Sequence, residues 1–210
     1  TQQASDRATK EVIEIAVATG REVDSVAKLY EKAARSAQQF GISQTDVAKI
    51  TRGFADSIRL SGASTQEAYA ATIQFGQALA SGRLQGDEFR SLMENNSVFM
   101  YEFAKALGVS VAQLRKMGTE GKFSAQVLFD TMLKQGKDGL NMLERLTEQA
   151  KAMPLTFHQS LSSLGTQTTE LVGELAKALD LKSDDPLGLF GPIIRSLRDM
   201  TAAIKEARQE

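Results

Sequence analysis

The stretch ASGRLQGDEFR, residues 80–90, decides how this chain is read. Two glycines, Gly82 and Gly86, bracket Leu84, and the acidic pair Asp87 and Glu88 then opens an apolar segment at Phe89. Such a stretch could cradle a phosphate, hold a metal ion or join two helices. A phosphate loop needs Gly-Lys followed by Ser or Thr, so that backbone N–H groups, a cation and a Mg²⁺ ligand converge. This stretch has no Lys and follows a helical pattern rather than a strand. Gly121-Lys122-Phe123 and Gly136-Lys137-Asp138 lack the hydroxyl residue. The joint is the better reading. Gly82 ends one helix and Leu84 plugs into the core. Asp87 and Glu88 occupy the first turn of the next helix, where acidic groups favour the dipole, and Phe89, Leu92 and Met93 face inward.

Outward from this joint the periodicity is helical nearly everywhere, and strands are hard to find. Upstream, Ser64 with Glu67 spells a capping box. The helix it starts is expected to turn Tyr69, Ile73, Gly76 and Leu79 or Ala80 inward. Gly76 costs about 1 kcal/mol against Ala, which a close helix crossing would justify. Ser43, three residues before Asp46, opens the preceding helix, which buries Val47, Ile50, Phe54 and Ile58 and stops at Gly62. Before it, Val23, Val26, Tyr30, Ala33, Ala37 and Phe40 step by three and four, and Gly41 closes that helix. Thr9 to Ala18 carries Val12, Ile13, Ala16 and Val17 up to Gly20. Downstream, residues 98–107 end at Gly108. Ser110 with Gln113 opens a helix ending at Gly118, and Ser124 opens another ending at Gly136.

After Gly139 the texture changes. Leu140 to Ala178 contains few breakers, and Phe157, Leu161, Leu164, Thr168, Leu171, Leu175 and Ala178 alternate by four and three. A loop with Pro186 and Pro192 follows, then Phe190, Ile193, Leu197, Met200, Ile204 and Ala207 repeat the spacing. The pattern predicts an all-α chain: a compact bundle of short capped helices over residues 1–140, then two longer amphipathic helices over 141–210. The chain has no initiator Met and starts and stops in helical text, as an excised fragment would.

Composition removes several function classes. Hydrophobic residues make up 42% and the formal net charge is −1, so bulk charge supplies no attraction to nucleic acid or anionic membrane. There is no cysteine, hence no disulfide or thiol chemistry, and His158 is the one histidine, too few for a zinc site. The segment KSDDPLG, with Asp184 and Asp185, lacks the periodic oxygen ligands of a calcium loop. Ser160 is too near His158 in sequence to face it on a helix, and adjacent helical carboxylates such as Asp87 and Glu88 point apart. Glu94, Asn95 and Asn96 read as a polar loop between helices. No catalytic, cofactor-binding or metal constellation emerges, and no apolar run is long enough to span a membrane. One alternative stays open. GVSVAQLRKMGTEGKFSAQVLFDTML could be a helix-turn-helix that contacts DNA through Arg115, Lys116, Lys122 and Gln126. A generic helical interaction domain is a third reading.

The segment QFGQALASGRLQGDEFRSLMEN resembles the signature of phage tail tape measure proteins. The matching residues are Gln74, Gln77, Ala78, Leu79, Ser81, Gly82, Leu84, Gln85, Gly86, Asp87, Glu88, Arg90, Ser91 and Leu92. The likeness continues through Leu107, Gly108, Val109, Ser110, Leu114, Gly118, Gly121 and Lys122, and covers residues from about 20 to 140. One departure follows the Glu-Asn. The family tends to have a proline-containing turn there, and this chain has NNSVFMYEF with Phe99, Tyr101 and Phe103.

The resemblance implies a non-enzymatic structural protein of a long-tailed phage or prophage that sets tail length and acts as a scaffold for the tail tube. It implies tail assembly chaperones, tail tube and tail tip proteins as partners, in the virion tail and, during assembly, the host cytoplasm. No specific nucleic acid is expected, and self-association through residues 155–181 and 190–208 is. Gly82, Leu84, Gly86, Asp87, Glu88, Phe89, Gly108 and Gly118 are the residues expected to set the joint and its docking geometry.

Overall fold

A computed structural model describes residues 2–21 and 23–154 of the 210-residue chain. The chain divides into two units, Thr1–Thr166 and Gln167–Glu210, and all described residues lie in the first. Its elements in order are α1 (Gln2–Thr19), α2 (Val23–Gln39), α3 (Gln44–Leu60), α4 (Thr65–Ser81), β1 (Arg83–Leu84), α5 (Gly86–Asn95), α6 (Ser97–Leu107), α7 (Val111–Thr119), β2 (Phe123–Ser124), α8 (Ala125–Leu133) and α9 (Met142–Lys151). Among the described residues the structure is all-α apart from one two-residue ladder.

Most helix starts follow from side chains within three residues of them. Ser43, Ser64, Ser110 and Ser124 each accept a hydrogen bond from the backbone N–H three residues on. Glu67 and Gln113 return the bond to complete capping boxes. Asn96 is both the last cap of α5 and the first cap of α6, accepting from the Phe99 N–H at 3.3 Å. It is buried, and its amide donates to the Ser57 hydroxyl at 2.7 Å. The polar segment at 94–96 is therefore a structural hinge tied to α3, and it needs no proline.

The core is organised around α3, which packs against α1, α2, α6 and α9. Its Val47, Ile50, Phe54 and Ile58 are buried, as expected. The inner face of α4 is not the expected one. Tyr69 is 59% exposed and Ile73 is half-buried. Ala68, Ala71, Phe75, Ala78 and Leu79 face inward instead. Small alanines let α4 approach α2 and α5 closely, and Phe75 reaches across to stack on Phe54 of α3 with ring centroids 4.2 Å apart. A side chain larger than Ala at that crossing would push the helices apart. Gly76 does mark a close approach: a Cβ there would meet the Lys32 stem of α2 at 2.6 Å.

Two boundaries also differ. Gly118 does not end α7. It lies in the last turn, buried, and Gly121 takes the left-handed conformation beyond the helix. Helix α8 stops at Leu133 rather than Gly136, because Lys134 adopts an extended backbone. Helix α9 is short and starts with a third capping box, Asn141 with Glu144. It lies on α3 at Gly53, where a Cβ would come 2.7 Å from Leu143 Cβ. Lys49 of α3 and Glu144 of α9 pair across this contact at 3.0 Å. The helices expected beyond Pro154 lie outside the described residues.

Candidate functional site

The joint at 82–89 is one half of a pair. Gly82 takes φ +75°, which any residue with a Cβ resists. That turns its N–H back to the carbonyls of Ala78 and Leu79 and closes α4. The chain then runs extended for two residues. Arg83 pairs with Ser124 and Leu84 with Phe123 in an antiparallel ladder. Alternation along a strand sends Leu84 and Phe123 into the core, both fully buried, and leaves Arg83 and Ser124 outside. The Ala125 N–H donates to the Gly82 carbonyl at 2.7 Å, tying the start of α8 to the end of α4. Gly86, at φ +55°, begins α5.

The side chains interlock across the pair. Phe89 stacks on Phe123 at 5.8 Å, and Phe123 meets Phe103 edge-on at 5.6 Å. Phe103 lies 6.2 Å from Phe99, which contacts Phe54 and Phe75 at 5.2 and 5.3 Å. A continuous file of phenylalanines thus runs from α3 and α4 to the paired joints. At its end the Phe89 ring lies directly over Gly118, and Gln85 Oε1 covers Gly121.

The structure therefore brings Gly82, Leu84, Gly86, Phe89 and Gly118 together. Asp87 and Glu88 sit at the rim in the first turn of α5. Asp87 is exposed and pairs with Arg90 at 3.5 Å. Gly108 belongs to a different turn, closing α6 at φ +75°. Sequence reasoning treated 82–89 alone and missed its partner. A signal was present: Gly82-Arg83-Leu84-Gln85 and Gly121-Lys122-Phe123-Ser124 share the order glycine, cation, buried apolar residue, helix cap.

Several polar groups around the joints are engaged with one another. Lys122 pairs with Glu120 at 2.6 Å and Lys116 with the same carboxylate at 4.0 Å. The Lys122 hydrogen bond holds the Glu120 carboxyl below its ordinary pKa. Gln126 donates to Asp130 at 2.7 Å. Helix α8 buries Ala125, Leu128, Phe129, Thr131 and Met132, so a DNA-facing surface on it reduces to Gln126, Asp130 and Lys134. Among the described residues no group of three or more His, Cys, Asp or Glu could hold a metal ion, and no helix is long and apolar enough to cross a membrane. His158 and the segments 155–181 and 190–208 lie outside the described residues.

The joint offers backbone geometry and packing, and comparison with known families shows where the chain belongs. The profile of the tape measure protein family matches residues 1–177. The chain belongs to the tape measure protein family. No curated protein and no solved structure matches it. Tape measure proteins are structural components of phage tails, and this chain takes that role. The matched span contains every described residue, so the paired joints are part of the tape measure domain itself.

Proposed function

We propose that this tape measure domain sets tail length and scaffolds the tail tube, acting through contact and without catalytic turnover. The observation that carries the reading is the family match over residues 1–177, which takes in the whole helical unit. A helix advances about 1.5 Å per residue, so a helical chain converts residue count into length. Nine short helices folded against each other among the described residues make a poor ruler but a good anchor. In this reading the compact part, drawn from the sequence at 1–140, docks onto another tail component, with Gly82, Leu84, Gly86, Asp87, Glu88, Phe89, Gly108 and Gly118 setting its docking geometry. Residues 141–210 lead from it toward an extended rod, with α9 remaining folded on α3. Assembly chaperones cover the chain in the host cytoplasm, tail tube and tip proteins receive it in the virion, and segments 155–181 and 190–208 pair between copies.

The test is an in-frame duplication of residues 155–182 in the phage or prophage that encodes the protein, with tails measured by electron microscopy. Tails should lengthen by about 42 Å, the rise of 28 helical residues. Normal tails of unchanged length, with the longer protein present in them, would refute the ruler reading.

A further inference from the structure

The ends of α1, α3 and α9 converge on two arginines. Arg59 is 7% exposed. Its Nη1 donates to the Ala18 carbonyl at 3.3 Å and its Nη2 to the Met153 carbonyl. One guanidinium thus closes the carboxyl ends of two helices, where the macrodipoles favour a cation. That accounts for two of its N–H groups, and Nε is buried with no acceptor among the described residues. Arg21 lies beside it, in the turn between α1 and α2. Its backbone N–H continues the end of α1, but side-chain Nε and Nη2 are buried and have no acceptor either. Burial, and then the neighbouring Arg59 charge, hold the Arg21 guanidinium below its ordinary pKa.

The local carboxylate does not balance these charges. Asp56, one turn before Arg59, is fully buried and accepts from Arg52 Nε at 2.7 Å. Neither Arg21 nor Arg59 makes an ion pair with a described residue. Arg52 and Arg59 both act on this one aspartate, whose Oδ1 is also buried without a hydrogen bond, and three buried donor atoms on Arg21 and Arg59 lack a partner. An unmet buried donor of a charged group costs more than a neutral one. Guanidinium forks match the paired oxygens of carboxylates and phosphates.

We propose that Arg21 and Arg59 form a receptor for one oxyanion, a phosphate or a carboxylate, where α1, α2, α3 and the end of α9 meet. Arg59 is a poor residue to mutate because it also closes two helices, so Arg21 carries the test. Melting of the chain is followed while chloride is replaced, at constant ionic strength, by inorganic phosphate in one arm and by acetate in the other. A saturable rise with phosphate identifies a free polyvalent anion as the ligand. A rise with acetate alone identifies a protein carboxylate. The expected rise is about 3–6 °C at ten times the dissociation constant. Arg21→Gln should abolish it, and Arg21→Lys, which keeps the charge and loses the fork, should weaken it. No rise with either anion, or an equal rise in Arg21→Gln, overturns the proposal.

Discussion

The contact between Phe89 and Gly118 can be tested through a change of sign. A Cβ on Gly118 would lie 2.6 Å from Phe89 Cε1 and Cζ and 2.7 Å from Cδ1. The ring has little room to retreat, because it stacks on Phe123, which is itself packed edge-on against Phe103. All three rings are buried. In an open helix, Gly→Ala stabilises by about 1 kcal/mol. Here, overpacking a dense core costs about 1–3 kcal/mol. The clash wins, and Gly118→Ala should destabilise the chain by about 1 kcal/mol, lowering Tm by about 2–4 °C. Removing the ring reverses the balance. Phe89→Ala alone costs about 3–5 kcal/mol, and adding Gly118→Ala to that variant should recover about 1 kcal/mol. Urea unfolding of the parent, both single variants and the double variant would then give a coupling of about 2 kcal/mol. If Gly118→Ala stabilises both backgrounds alike, the ring does not lie on the glycine and the interlock of the joints is wrong.

Gly82→Val and Gly86→Val should each cost about 1–3 kcal/mol in thermal melts through backbone strain. Neither position has any atom within 4 Å of a built Cβ, so Asn, which tolerates the left-handed region, should recover much of the loss. Asn96→Ala removes a helix cap and a buried hydrogen bond to Ser57 and should cost about 2–3 kcal/mol by chemical denaturation. Asn96→Asp, which keeps the cap acceptor but buries a charge, should be no better. Burial raises the Asp56 pKa above its ordinary value, with Arg52 opposing. A carboxyl whose folded pKa is raised favours the fold when protonated, and that contribution is lost as pH rises from the usual aspartate range through the raised folded value. The Tm of Asp56→Asn relative to the parent should therefore climb across that window and stay level above it. A difference that stays constant from acid to neutral pH would count against it.

How much was legible in the sequence follows from the range of the forces involved. Serine caps, capping boxes and the glycines that close helices act within four or five residues. Ser64 with Glu67, Ser110 with Gln113 and the left-handed Gly82 and Gly108 were therefore readable before any partner was known. The α9 start at Asn141 uses the same local chemistry, but Asn and Glu at that spacing sit in a long run without breakers, so nothing beside them marks a new helix.

The rest required the tertiary structure. Which face of α4 turns inward depends on what lies opposite, and the Phe54 ring of α3 selects Phe75 over Tyr69. Leu84 and Phe123 are separated by the whole of α5, α6 and α7, and only the packed bundle brings their strands into register. Gly118 carries no local sign that it makes room for an aromatic ring, and Gly53 none that α9 rests on it. By itself, the sequence of this tape measure domain determined where most of its helices begin, since capping is a contact between chain neighbours. Which surfaces meet is a contact between strangers along the chain, and burial and fit in three dimensions alone decided it.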